Sequence, residues 1–495
     1  MNRVARILLA GVSAASMTLP VVSQELPQAQ SAWYTDADAK LQAMIDMQPN
    51  TGTAKNVILF VADGQGVGSN YAIRLFAGQL EGKLGEEHVL PYEEYPYTAL
   101  IKTYNINAQT PDSAPTAGAM NTGVKQVFNT INLSESAVHE DCASEDGNKL
   151  TLFSEIVADA GKSVGVVSTA RITHATGAAV YAKTANRNWE AEAPEGCTDI
   201  ATQLVDMMEA GTIDIALGGG ARNFPAMGAQ TPFGGDSSRK DETDLIARAE
   251  AAGAELVTDL ASLEAAPAGS PVLGLFTNSD MNYEHDRPET EPSLADMTAA
   301  AIKNLQGNEG GFYLMVEGGR VDHALHGGNA HRALMDGVAF ANAVALADEM
   351  TNDEDTLIIV TADHEHAIAF NGYCGRGTPI TGLCMGIAKG QVEHNGEPEL
   401  AADGKPYSVI TFANGAGSVL TEQADGSYFG TRANLTQEEA MDPDFLQQAA
   451  IPMGSETHSG EDVAAWAKGP WAHLLTGTQE QNYIFHVMNH AVSAE

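Results

Sequence analysis

The sequence predicts an α/β fold, and three of its runs carry most of that prediction. Asn56 to Ala62 (NVILFVA), Phe312 to Val316 (FYLMV) and Thr356 to Thr361 (TLIIVT) are apolar and short enough for buried strands. Each gives way at its C-terminal end to polar groups. The first ends in Asp63, the second in Glu317, Asp322, His323 and His326, the third in Asp363 and His364. In open α/β sheets, ligands bind at the carboxyl ends of the strands.

In chain order, Met1 to Arg6 carries Arg3 and Arg6, and Ile7 to Val22 is apolar or small. Val21-Val22-Ser23 offers a cleavage point, so residues 1–23 read as a secretory signal peptide. Ser31 to Met47 has the spacing of an amphipathic helix, stopped by Pro49-Asn50-Thr51-Gly52. After the first strand, Asp63-Gly64-Gln65-Gly66-Val67-Gly68 is a turn into a helix from Ser69. It lacks the Lys-Ser/Thr of a P-loop, and its GxGxxG spacing is incomplete. Asp63 is therefore the informative residue, as a cap for the next helix, a metal ligand, or both.

Leu100 to Tyr104 reads as a strand. Asp112-Ser113-Ala114-Pro115 then reads as a helix start, a polar cap followed by proline in the first turn. That places Ser113 at the positive end of a helix dipole, where an attached phosphate would be stabilised; a plain cap is the bland alternative. Lys149 to Gly161 is a helix and Ser163 to Ser168 a strand. The following Thr169 to Trp189 offers His174 and Thr176 as ligands and Arg187 as a planar fork for a tetrahedral anion.

Asp214 to Leu217 and Val272 to Phe276 are strands, Pro292 to Leu305 is a helix, and Ala330 to Met350 is a helix that packs back after His326. Asp322 and His326 are spaced to share one face of a helical turn. From Asn371 to about Met453 the alternation weakens and Gly, Pro and Asp become frequent, which marks an inserted subdomain. Ser455 to Asp462, Val463 to Ala467 and a C-terminal helix resume the core. The 495 residues admit one large α/β domain with insertions or several smaller ones.

Hydrophobic residues make up 44% of the chain, ample for a core. Lys and Arg number 26 against 65 Asp and Glu, a net charge of −39. That excludes a general binder of nucleic-acid backbone. It reads as a surface suited to saline surroundings, where self-repulsion is screened. An anionic substrate must then be attracted locally, by metals or an arginine. Beyond the signal peptide no stretch reaches about 18 uninterrupted apolar residues, so the mature chain is expected to be soluble, without a membrane span. Export to the periplasm or beyond makes the four cysteines a disulfide framework, most simply Cys142–Cys197 and Cys374–Cys384; none forms a CxxC pair.

Together, Asp63, Asp322, His326, Asp363, His364 and His458 give three carboxylates and three imidazoles, enough for two zinc sites that each keep an open position. Thr176 and Glu317 add oxygen ligands suited to magnesium. With a helix-start serine and an arginine, the set fits two-metal phosphoryl chemistry.

The stretches FVADGQGVG, TPDSAPTAGAMNTGVK, VGVVSTARITHATGAAVYAKTANRNW, MVEGGRVDHALH, VTADHEH and ETHSGED resemble those of alkaline phosphatases. The resemblance is strongest over about Lys55–Glu190, Pro292–His366 and Ser455–Asp462 and weak from Asn371 to Met453. It implies a three-layer α/β/α sandwich around a large, mostly parallel sheet, formed by residues 24–495 with a crown-like insertion at about 371–453. It also implies two zinc ions and one magnesium ion per chain, small phosphate monoesters as substrates, and a homodimer.

By resemblance, Ser113 is the nucleophile that becomes phosphoserine, and Arg187 binds phosphate. Asp322, His326 and His458 hold one zinc, Asp63, Asp363 and His364 the other, and Asp63, Thr176 and Glu317 the magnesium. His174 and His323 match the branch with histidine at both places, near magnesium and its waters. The chain departs from the family at Pro115, usually small, at Gly118, usually threonine, and at Thr277, where relatives that hold calcium want a carboxylate. The rival readings are a related phosphodiesterase or sulfatase, and a non-catalytic exported binder of metal or phosphate.

Overall fold

A computed structural model describes residues 26–494; the signal-peptide reading falls on residues outside it. The chain divides into a small N-terminal unit ending at Gln48 and a large unit from Pro49. In the first, α1 (Ala32–Asp46) buries none of its residues. Among the described residues, no helix is long and apolar enough to cross a membrane.

The large unit is built on a ten-stranded sheet. Its strands are β1 (Asn56–Val61), β2 (Tyr97–Lys102), β3 (Ser163–Arg171), β4 (Ile215–Gly219), β5 (Glu255–Val257), β6 (Val272–Leu275), β7 (Phe312–Glu317), β8 (Thr356–Thr361), β9 (Val463–Lys468) and β10 (Gly477–Glu480). Their order across the sheet is β10-β2-β9-β8-β1-β7-β3-β4-β6-β5. All neighbours are parallel except β9, which runs antiparallel to both β2 and β8. The mostly parallel sheet is as expected.

Period-two alternation in the central strands makes the layers. Val57, Leu59 and Val61 of β1, Tyr313 and Met315 of β7, and Leu357 and Ile359 of β8 enter one core. Ile58 and Phe60, Leu314 and Val316, and Ile358 and Val360 enter the other. Both faces are apolar because both are covered, the condition under which parallel sheets are stable. Helices α2 (Val67–Leu80), α4 (Leu294–Leu305) and α6 (Ala330–Met350) cover the second core, while α3 (Ser113–Thr122) and α7 (Tyr483–Ser493) cover the first. Helix α5 (Arg320–His326) follows β7 directly.

Around Asn371 to Met453, Ile410–Gly415 is the middle strand of a separate three-stranded sheet, pairing antiparallel with Ile368–Phe370 and parallel with Ala449–Pro452, and Thr421–Glu422 pairs with Tyr428–Phe429. Both disulfides form as read, Cys142–Cys197 and Cys374–Cys384.

Candidate metal centre and nucleophile

Register brings the polar strand ends together. Val61 lies opposite Glu317 on β7 and Thr361 on β8, so Asp63 and Asp363 leave the sheet at one level, two residues beyond Glu317, at the same edge. All three are fully buried. Three buried carboxylates without cations would repel one another, and the structure gives them imidazoles and hydroxyls as neighbours.

Asp322 and His326 project from one face of α5, and His458 enters from the segment before β9. His326 Nε2 is 3.4 Å and His458 Nε2 3.3 Å from Asp322 Oδ1, and the two nitrogens are 3.0 Å apart. Ligands about 2.0–2.1 Å from a tetrahedral zinc lie roughly 3.3 Å from one another, so the triangle fits that ion. The other ring nitrogens are held by carbonyls: His326 Nδ1 lies 2.6 Å from Glu456 O, and His458 Nδ1 lies 2.9 Å from Pro111 O. Such outer contacts fix the ring and its tautomer.

A second cluster centres on His364, whose Nε2 is 3.2 Å from Asp63 Oδ1 and 3.4 Å from Asp363 Oδ2. Ser113 Oγ is 3.0 Å from the same nitrogen and donates to Asp63 Oδ1 at 3.3 Å. The third set is Asp63, Thr176 and Glu317. Thr176 Oγ1 donates to Asp63 Oδ2 at 3.5 Å, and neither oxygen of buried Glu317 has a hydrogen-bond partner. Two orphaned carboxylate oxygens in a fully buried position are what a hard cation satisfies. His174 Nδ1 is also unpartnered and lies 3.9 Å from Glu317 Oε1, nearer this set than a purely outlying role required.

Ser113 opens α3, as predicted, but Asp112 does not cap the helix with its side chain. Its carboxylate instead accepts from Asn129 N at 2.9 Å and forms an ion pair with Arg187 Nη1. Arg187 Nη2 lies 2.8 Å from His174 Nε2. The guanidinium is thus clamped between Asp112 and His174. His323 is set apart, its Nδ1 2.9 Å from Arg320 Nη1 and its ring 5.4 Å from that of His174.

Asp63 does not cap α2 either. Glu365 does that work, accepting from Gly68 N at 3.0 Å and Ser69 Oγ at 2.8 Å. At Gly118 a Cβ would lie 2.4 Å from Gln126 Oε1; the glutamine fills that space. Between Val272 and Leu294, Thr277 donates to Ser279 O at 2.7 Å. Glu291 there accepts from Asn282 N at 2.8 Å and Asn282 Nδ2 at 2.6 Å.

Sequence reasoning missed His366 and Glu456. His366 Nε2 lies 2.7 Å from Asp322 Oδ1, its Nδ1 pairs with a Glu456 carboxylate oxygen, and Ala367 N donates to the other at 2.6 Å. Gly64 makes room for this ring: its φ is 73°, and a Cβ would lie 2.6 Å from His366. The sequence signal is proximity alone, each residue lying two positions from a candidate ligand, in His364-Glu365-His366 and Glu456-Thr457-His458.

The electrostatics give a pH prediction. Burial, then the charge of Asp63, holds Glu317 well above the usual carboxylate range. Burial opposes a proton on His366, but hydrogen bonds to Asp322 and Glu456 outweigh it and push its pKa up to about 10. Both pKa values are raised on folding. Their contribution is therefore complete below the unfolded values and lost as pH rises through the folded ones. The chelated protein should lose thermal stability progressively from pH 7 to about 10, the window set by His366. Metal at Glu317 would replace its proton, and metal charge on Asp322 would weaken the hold on the His366 proton, so the loaded protein should depend less steeply on pH. Thermal unfolding of both forms across this range checks it; parallel profiles would refute it.

The alkaline phosphatase family model matches residues 54–494. The chain is 41% identical over 480 residues to the tissue-nonspecific alkaline phosphatase isozyme of Gallus gallus, covering 93% of this chain and 88% of that one. It is 40% identical to an alkaline phosphatase of Gadus morhua, covering 93% and 96%. Among solved structures, the alkaline phosphatase of Thermus thermophilus superposes with a TM-score of 0.64 at 24% identity, covering 92% of this chain and 94% of that one. That of the Antarctic bacterium TAB5 gives 0.61 at 22%, covering 90% and 99%.

Proposed function

This chain belongs to the alkaline phosphatase family, and from that premise we propose an exported, metal-dependent phosphate monoester hydrolase that works through a phosphoserine at Ser113. The observation that carries this reading is Ser113 Oγ at the start of α3, 3.0 Å from His364 Nε2 and 3.3 Å from Asp63 Oδ1. Asp322, His326 and His458 would hold one zinc, Asp63, Asp363 and His364 the second, and Asp63, Thr176 and Glu317 a magnesium. When bound, these ions supply Lewis acidity that makes a hydroxyl nucleophilic and neutralises charge on the entering and leaving oxygens.

The side chains do the rest. Ser113 Oγ attacks phosphorus in line; the Oγ–P bond forms as the bond to the alcohol oxygen breaks. Arg187, clamped by Asp112 and His174, presents its fork to two non-bridging oxygens. The phosphoserine sits at the positive end of α3. Water then cleaves it, releasing inorganic phosphate and restoring the serine. His366 and Glu456 orient Asp322, and His323, with Arg320, stays outside the reacting atoms.

A sulfatase or diesterase reading lacks a comparable observation, because the pairing of Ser113 with a clamped arginine suits a dianionic monoester. The test is turnover of aryl phosphate, diester and sulfate by the metal-loaded protein and by Arg187→Ala. Monoester should dominate. The variant should lose on the order of a hundredfold in kcat/KM, as loss of a preorganised donor to the transition-state charge costs. Its metal content should be unchanged. A diester or sulfate preference, or unaltered inhibition by phosphate, would sink the assignment.

Export is supported by the two disulfides. A homodimer is the assembly we propose; Trp33, Leu41 and Ile45, left exposed on α1, support it. The charge of −39 supports salt tolerance. The screening length falls from about 10 Å at 0.1 M salt to about 3 Å at 1 M, relieving self-repulsion, while groups at contact distance feel little change. The thermal midpoint should therefore rise with sodium chloride at saturating zinc, at each of two protein concentrations. A flat or falling midpoint would mean the acidic balance is no salt adaptation.

A further inference from the structure

Away from the metal centre, two other histidines face each other. His285 lies in the loop between β6 and α4, and His331 in the first turn of α6. His331 Nε2 is 3.2 Å from His285 Nδ1, with the rings perpendicular and their centroids 4.8 Å apart. That spacing matches the 3.0 Å between His326 and His458 and the roughly 3.3 Å expected of two ligands on one tetrahedral ion. We propose that His285 and His331 form an accessory surface site for a borderline divalent metal such as zinc.

The surroundings hold the pair in place. Arg332, next to His331, donates to both carboxylate oxygens of Asp286, next to His285, at 2.7 and 3.1 Å. The ring of Phe76 packs edge-on to His331 with centroids 5.6 Å apart. His285 is exposed, so an ion reaches the pair from solvent. Imidazole nitrogens select zinc, copper or nickel over magnesium and calcium. The net negative charge of the chain concentrates cations at its surface. Asp286 is engaged by Arg332, which leaves water for the remaining positions. A bound ion would tie the β6–α4 loop to the start of α6, without touching the reacting groups.

The test uses the metal-loaded protein, equilibrated with increasing free zinc after removal of loosely bound ions. The parent and a His394→Ala control should each take up one more zinc per chain than His285→Ala, His331→Ala or His331→Gln. Turnover should be the same in all five, which also certifies folding. The added zinc should raise the thermal midpoint of the parent but not of the pair variants. Equal zinc uptake by the parent and the pair variants, including no uptake by any, would overturn the site.

Discussion

Replacing Ser113 by alanine should lower monoester turnover at least about a thousandfold, the scale on which loss of a nucleophile is felt, while metal content stays near that of the parent. The serine contributes no atom to the three proposed ligand sets. Its Oγ only borders one, 3.0 Å from His364 Nε2 and 3.3 Å from Asp63 Oδ1. The substitution removes one oxygen from the first residue of a helix whose side chains are all buried and whose cap residue makes no side-chain cap bond, so the fold should tolerate it. Direct attack by water on bound substrate accounts for any remaining rate. Acid-quenched parent should carry phosphate on a peptide containing Ser113, and the variant should carry none. Parent-like turnover in a metal-replete variant would remove Ser113 from the chemistry.

The second large effect belongs to Asp63→Asn. Asp63 is the one carboxylate whose two oxygens face different proposed sites, Oδ1 toward Ser113 and His364, Oδ2 toward Thr176. An amide supplies one neutral acceptor where two anionic oxygens stood. The loss should exceed the roughly 10- to 100-fold that removing an outer hydrogen-bond partner costs a metal site. Bound metal should fall at two of the three positions. Chelation should abolish activity in the parent, and zinc with magnesium should restore it; the same concentrations should fail to restore the variant. A variant with full metal content and normal turnover would contradict the shared role of Asp63.

The central strands were legible because burial on both faces leaves an unbroken apolar run, and α6 matched its reading end to end. Strand β10, Gly-Thr-Gln-Glu, was not legible: it is a polar edge strand held by backbone pairing to β2. Helix Ile200–Glu209 was overlooked although its Asp199 cap and apolar spacing were there to read. In the site, residues that end strands announced themselves. His366 and Glu456 did not, because their partners lie 44 and 90 residues away in sequence and only the fold pairs them. Asp112 misled for a related reason. Capping is a local rule, and a distant arginine outcompeted it.

The two disulfides and the metal centre differ in what they join. The disulfides close short loops, with separations of 55 and 10 residues. The metal centre gathers groups as remote as Ser113 and His364, 251 residues apart, and His326 and His458, 132 apart. Closing a loop costs entropy that grows with the logarithm of its length, about 0.6 kcal/mol for each doubling. In chain-connectivity terms, the covalent links act as local stitches, whereas ions at the centre would be the long-range crosslinks between early and late segments. Reduction would thus loosen individual loops, while demetallation would remove a crosslink between early and late segments and leave the pairing of β2 with β9 and β10 to hold them.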